Sequence, residues 1–548
     1  MDSELSIREI EKKLDVYHRA SKFMKSSQYS RDQSVFDLLR VFESTMILGL
    51  TAVVGQNILG LKEADFVALS HAHNLQDALN TAIHWLYLEC DNDESDISFR
   101  IDEAKKSDAL DFLCNYADPY SVIVDGYTSY SHGICTGRVE DNRVFFDSTS
   151  ESLQAFLEDV AERLNQKTES VQASLMSVMM SQEFQRSAEL LRKTIDFEDG
   201  RLCYEIPNSL FQIIEEVAEK HWIATSSVPQ NWEFDHFSLE DFKKCWKVLY
   251  CICSAHFIAI LKSIGTINSV EDLVIVQKKH DVIKLISQNS GVDVKVVQSI
   301  VETLTFDPGL RNSDIMYQPI ISINDYLVIT PSLIMSNCPE RNLICILQAK
   351  DDKKYFQEVN LLEREMAAEL INNLPVDTVT CSGKDIGVTD IDFGIYDKSA
   401  NAILISEMKW LTAADSTKEV VNRQQEINHG CSQIEKAMGV ALSDPVGLAK
   451  RLFGIEPDEK PEYFCCVIAK HNVRGTNRHV PVISLASISS LFANFQLSTA
   501  FHKIRNKEYL KPIPDNAQME YKTVSYAGYT ISISALAIQK EYEVWENE

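Results

Sequence analysis

Two short runs constrain this chain more than any other part of it: Thr389-Asp390-Ile391-Asp392-Phe393-Gly394-Ile395-Tyr396-Asp397 and Ala402-Ile403-Leu404-Ile405-Ser406-Glu407-Met408-Lys409-Trp410. Their apolar content and length predict two β-strands. The intervening Lys398-Ser399-Ala400-Asn401 supplies turn residues, so a hairpin is expected. Side chains two apart share a face of a strand. Asp390 and Asp392 therefore point one way, and Glu407 and Lys409 share a face of the second strand. Pairing of the strands brings three carboxylates and one ammonium to one end of the sheet. Carboxylates so close repel and take up protons at neutral pH. A divalent cation relieves that repulsion, and an oxygen-rich set suits Mg²⁺ (or Mn²⁺). The Met408 side chain points the other way, which leaves its backbone carbonyl available as a further ligand.

The pattern resembles the PD-(D/E)xK nuclease superfamily. It is closest in style to the branch that includes Mrr-like restriction enzymes, archaeal Holliday-junction resolvases and NERD-like domains. The residues that carry the resemblance are Thr389-Asp390-Ile391-Asp392 on the first strand and Glu407-Met408-Lys409 ending the second. The resemblance implies that Asp392 and Glu407 hold the metal together with the Met408 carbonyl, and that Lys409 is the catalytic lysine. Asp390 takes the place of the preceding acid, whose role varies within the family, and is a further candidate metal ligand. Such domains begin with a helix bearing a glutamate. Glu363 shares a face with Met366 and Leu370, and Glu365 is its competitor. They also carry a glutamine on a helix after the lysine. Gln433 fits, and Gln424 is the alternative. The implied catalytic set is Asp392, Glu407, Lys409, Glu363 and Gln433, on a restriction-endonuclease-like core with a mixed central sheet. The resemblance covers about residues 356–510.

With 548 residues the chain exceeds one core, and roughly two to four domains are expected. The pattern reads as an α+β multidomain protein. A mainly helical region, 1–310, includes a small β element over 92–150, where Tyr120-Ser121-Val122-Ile123-Val124 and Arg143-Val144-Phe145-Phe146 alternate. A β-hairpin and connecting segment follow over 311–355, announced by Asn324-Asp325 between two apolar runs. The α/β core occupies 356–512, and a C-terminal extension 513–548. The acidic opening Met-Asp-Ser-Glu-Leu-Ser has no apolar run behind it, which predicts a cytoplasmic chain with no membrane partner. Met46–Leu61 is too short and polar to span a bilayer and reads as a buried helix.

Thirteen cysteines without paired spacing predict reduced thiols. Cys245, Cys251, Cys253 and His256 lie on one apolar helical stretch. They point several ways around it, which suits buried small hydrophobes better than tetrahedral zinc.

A net charge of −27 argues against coating of nucleic acid by the whole chain. Between Lys470 and Lys511, however, seven basic residues face one acid, Glu508. That segment is the candidate for tracking a nucleic acid, DNA before RNA. The function expected is a metal-dependent DNA endonuclease of the kind used in bacterial restriction or anti-phage defence. The alternatives are a silent nuclease-fold scaffold and an RNA-directed nuclease. The region 1–310 has no phosphate-binding Gly-rich loop. It is expected to restrain the site and to bind a protein partner or a second copy of the chain.

Overall fold

In the computed structural model, the described residues are 6–58, 64–92, 98, 103–149, 178, 181–198, 201–225, 228, 232–263, 273–375, 378–414, 416–471, 479–510 and 517–538. Several sequence expectations lie outside them: the helical pattern from Ser152 to residue 177, the break at Pro229 and Asn231, the basic residues Arg474, Arg478 and Lys511, and the acidic tail.

The chain is mixed α and β. It opens with α1 (Ile7–Asp15), α2 (Lys22–Ser27), α3 (Arg31–Ile58), α4 (Ala64–Glu89), α5 (Glu103–Phe112) and α6 (Asp118–Ser131), then the hairpin β1 (Cys135–Glu140) and β2 (Arg143–Ser148). Next come α7 (Gln182–Thr194), the short pair β3 (Asp196–Glu198) and β4 (Arg201–Cys203), α8 (Asn208–Thr225) and α9 (Leu239–Ser263). Helix α9 is long and apolar enough to cross a membrane, yet 83% of its apolar window is buried inside the fold. Cys245, Cys251, Cys253 and His256 all lie on it and are buried.

Strand β5 (Ile275–Lys278), α10 (Lys279–Ser290), α11 (Val294–Leu304), β6 (Ile320–Ile323), β7 (Tyr326–Ile329), α12 (Pro331–Ser336) and α13 (Pro339–Lys350) follow. The expected hairpin is β6–β7, and β7 also pairs antiparallel with β5. The last third holds α14 (Asp352–Asn372), β8 (Val379–Asp385), β9 (Asp390–Asp397), β10 (Ala402–Lys409), α15 (Thr417–Ser443), α16 (Pro445–Phe453), β11 (Glu462–Ala469), β12 (Val482–Ser484), α17 (Leu485–Asn494) and α18 (Leu497–Arg505). The hairpin β13 (Ala517–Tyr526) and β14 (Tyr529–Ile538) ends the described chain. It returns to the N-terminal part, where β14 runs parallel to β2 in a sheet ordered β1-β2-β14-β13.

One expectation is corrected. Tyr120–Val124 is part of helix α6, not a strand; Arg143–Phe146 is the strand. Pro119 sits at the start of α6, where its missing N–H costs nothing and its fixed φ suits the helix. Tyr120 and Ile123 then stack on one buried helical face. The β-branched residues there read as strand only while that partner surface is unknown.

The sheet that carries the two diagnostic strands has the order β12-β11-β10-β9-β8. Strands β8, β9 and β10 are antiparallel neighbours, and β10, β11 and β12 run parallel. On β10 and β11, alternate residues face opposite layers. Leu404, Met408, Phe464 and Ile468 join Leu362, Met366 and Leu370 of α14. Ile403 and Ile405 join Ala437 and Ala441 of α15, and Val467 joins Ile434. A strand buried on both faces reads as the continuous apolar run seen in β10.

Candidate active site

The site forms where β9 and β10 part. Their ladder runs from Ala402↔Asp397 to Ser406↔Phe393 and stops. Continued by one residue, that register sets Glu407 opposite Asp392, and residues directly opposite share a face. At that point each strand follows its other neighbour. Strand β9 stays with β8 as far as Asp390↔Asp385, and β10 stays with β11 as far as Lys409↔Ala469. Gly383, held at φ 58°, occupies the β8 position opposite Asp392.

The opening is closed by a side chain. The Met408 N–H donates to Asp392 Oδ2 at 2.9 Å, replacing the missing ladder bond. A residue's N–H and C=O project to the same edge of a strand, so the Met408 carbonyl faces the same opening. The Lys409 carbonyl projects to the other edge, where it accepts from the Lys470 N–H at 2.9 Å.

Glu407 and Lys409 share the face predicted for them, and Lys409 Nζ donates to Glu407 Oε1 at 2.9 Å. Glu407 is only 2% exposed, and its Oε2 is buried with no hydrogen-bond partner. Burial pushes the Glu407 carboxyl up to about 7; the Lys409 ammonium opposes that push and Asp392 adds to it. Burial works against the charge on Lys409. The carboxylates of Glu407, Glu363 and Asp392 outweigh it and hold the ammonium above its usual range. Lys409 is therefore a charge donor at neutral pH.

Glu363 on α14 reaches the site, and Glu365 points to solvent. Glu363 Oε1 accepts from the Trp410 N–H at 3.2 Å, which ties α14 to the first residue beyond β10. Burial lifts the Glu363 carboxyl to about 7. Lys409 and the Trp410 amide oppose that lift, and Asp392 and Glu426 reinforce it.

Helix α15 covers the other side. Its N-cap, Ser416, accepts from the Glu419 N–H. Gln433 lies on its inner face with Oε1 buried and unpartnered. Gln424 is nine residues earlier, half a turn out of phase, and is on the opposite face. Gly430 lets the helix approach closely. A Cβ there would stand 3.2 Å from Glu407 Cγ and 3.3 Å from Lys409 Cε.

Asp390 is exposed at the mouth of β9, two residues outside Asp392. The structure thus brings together Asp392, Glu407, Lys409 and Glu363, with Gln433 on the helix above them.

Two participants escaped the sequence reading, Gly430 and Glu426. Their signal was present. Glu419, Arg423, Glu426, Gly430 and Gln433 recur every three or four residues and make one polar stripe along a helix whose neighbouring face is apolar.

The basic segment is divided. Lys470 follows the last residue of β11, and its N–H donates to the Lys409 carbonyl at 2.9 Å. Arg505 pairs with Glu462 at 2.6 Å, at the opposite end of that strand, roughly 25 Å away. Lys503 pairs with Glu508 at 2.8 Å.

Among the described residues, no three His, Cys, Asp or Glu side chains already form a closed metal cage. The donors nevertheless suit a hard cation: the Asp392 and Glu407 carboxylates, one Glu407 oxygen having no donor, and a carbonyl facing the same gap. Asp392, Glu407 and the Met408 carbonyl are the groups that would hold it.

No family model, no curated protein and no solved structure matches this chain. The site's own chemistry is therefore the ground for a function.

Proposed function

We propose that the chain is a metal-dependent nuclease, a DNA endonuclease in which β8–β12, α14 and α15 form a restriction-endonuclease-like core. One observation carries this reading. Asp392 and Glu407 face each other where the β9–β10 ladder ends, close enough for Asp392 to raise the Glu407 carboxyl, with Lys409 one step further on the same face. An ordinary structural ion pair does not set a second carboxylate against a buried one, since the like charges repel and raise the buried carboxyl.

The geometry supports the following roles. Asp392 and Glu407 would supply the oxygens that hold Mg²⁺. The chemistry Mg²⁺ contributes when bound is a more acidic water and offset of charge on the phosphoryl group. Lys409, kept protonated by its carboxylate neighbours, donates to a phosphoryl oxygen or orients the attacking water. Glu363 has a carboxyl near 7, so it can take up or release a proton at working pH. Gln433, with a free buried carbonyl oxygen, can accept a hydrogen bond from that water.

The test is incubation of the purified chain with supercoiled DNA, linear duplex, single-stranded DNA and RNA, with Mg²⁺, Mn²⁺ or EDTA. Cleavage that needs metal and is lost in Asp392→Asn and Lys409→Ala is expected. Cleavage of none of these by the wild-type chain, with the variants binding metal no worse, would defeat the reading.

A further inference from the structure

The five residues after the catalytic lysine have no regular structure up to Ala414, yet they are held at successive points. The Trp410 N–H donates to Glu363. The Thr412 hydroxyl oxygen accepts from Arg423. The Ala413 carbonyl accepts from Arg341 Nε at 2.9 Å. Arg341 comes from α13 and Arg423 from α15, and both converge on one carboxylate. Glu419 Oε2 accepts from Arg341 and, at 3.1 Å, from Arg423 Nη1. Glu419 Oε1 accepts from the Tyr317 hydroxyl and from Cys345 Sγ at 3.7 Å. The arginine side chains are 9% exposed and the glutamate 13%.

Resting on the nuclease reading, we propose that Arg341, Arg423 and Glu419 are positioning residues. They clamp the 410–413 segment and so fix where Lys409 presents its ammonium. A buried charged triad is a poor device for stability alone, because apolar residues of the same volume do as well. What a planar guanidinium supplies is direction: several N–H groups in one rigid fork, each aimed at a different partner. Arg423 uses its fork to join the segment to Glu419, and Arg341 does the same from another helix.

The helix stripe extends the effect. Arg423, Glu426 and Gly430 lie on one face of α15, so the helix that grips Thr412 also faces Glu363 and lies against Glu407 and Lys409. A shift of the clamp moves the donors on both sides of the reacting phosphate. A displacement of about 1 Å in such a site costs on the order of 100-fold in rate. None of the three residues is placed to touch substrate, and their loss acts on turnover and not on binding.

The test uses the full chain and two variants. Arg341→Ala removes one arm of the clamp, and Thr412→Val removes a single contact while leaving the three charges paired, so it folds if Arg341→Ala does not. Two quantities are measured: amide hydrogen exchange of the peptide spanning 408–416, and steady-state cleavage of supercoiled DNA with Mg²⁺. Exchange at least about tenfold faster in that peptide, with kcat down on the order of 10- to 100-fold and KM unchanged, is expected. Millimolar guanidinium should restore part of kcat in Arg341→Ala and none in Thr412→Val. Unchanged exchange overturns the proposal, as does faster exchange with unchanged kcat. Faster exchange spread over the whole chain also overturns it, because that marks general destabilisation. Failure of the nuclease reading looks different: the wild-type chain then cleaves nothing, while the exchange contrast between wild type and variants persists.

Discussion

Replacing Lys409 by methionine keeps an unbranched apolar stem and deletes the ammonium that faces Glu407, Glu363 and Asp392. At 2.9 Å and an effective dielectric near 20, the Lys409–Glu407 attraction is about 6 kcal/mol before desolvation. Burial of the ammonium cancels a large part, leaving about 3 kcal/mol as the expected loss at pH 8. That loss should depend on pH. Burial already holds Glu407 and Glu363 near 7, against 4.5 for a free glutamate. Without the ammonium both rise further. A carboxyl whose folded pKa exceeds its unfolded value binds extra protons when folded. Its contribution is most favourable below 4.5 and is lost as pH rises through the folded pKa. The variant should therefore be close to wild type at pH 5 and weaker by about 3 kcal/mol at pH 8. Urea unfolding at both pH values, with and without Mg²⁺, reads this out. Mg²⁺ should recover the stability at pH 8 and leave cleavage at least about 100-fold down, because the cation replaces the charge and not the donor. Equal destabilisation at pH 5 and pH 8 would refute the electrostatic argument, and retained cleavage would refute the role of Lys409.

Asp392→Asn should abolish the Mg²⁺-dependent rise in the unfolding midpoint at pH 8, measured by thermal shift, along with cleavage. Gly430→Ala adds a Cβ at 3.2–3.3 Å from Glu407 and Lys409, so cleavage should fall about tenfold; a helix-propensity gain of roughly 1 kcal/mol keeps the fold intact. A normal rate in that variant would show that the two side chains yield without consequence. Glu43 is fully buried on α3, accepting from the Ser332 hydroxyl at 2.8 Å and its N–H at 3.2 Å. Burial lifts its carboxyl to about 7, with the Ser332 bonds opposing, so it weakens the fold as pH rises from 4.5 to 7. Glu43→Gln should flatten that dependence and stabilise the chain at pH 8 by at most about 3 kcal/mol, checked by unfolding across pH 5–8.

The candidate site was legible because its signals are local. Alternation in β9 and β10 needs only neighbouring residues, and it placed Asp392, Glu407 and Lys409 on one face. The hairpin turn was legible for the same reason. Asp397 Oδ1 accepts from the Ser399 and Ala400 N–H groups, and Asn401 takes φ 49°, which its side chain tolerates. The choices between Glu363 and Glu365, and between Gln433 and Gln424, were open in the sequence because either residue sits on an acceptable helix. Packing of α14 and α15 on opposite faces of one sheet decided both. Gly430 and Glu426 were visible as letters in a stripe, but nothing said which partner the stripe met.

The sequence by itself determined the diagnostic strands, their facing carboxylates and the helices that flank them, since strand and helix periods are properties of the local chain. Tertiary structure decided the rest. Residues 120–124 became helix because a buried surface outweighed their strand preference. β5 joined the β6–β7 hairpin and β14 returned to β2 because strand edges pair wherever a complementary edge is presented, whatever the separation along the chain. The polar clamp behind Lys409 exists only in three dimensions: Arg341, Thr412, Glu419 and Arg423 come from three different segments, and a buried charge is acceptable only where folding has brought its partners to it.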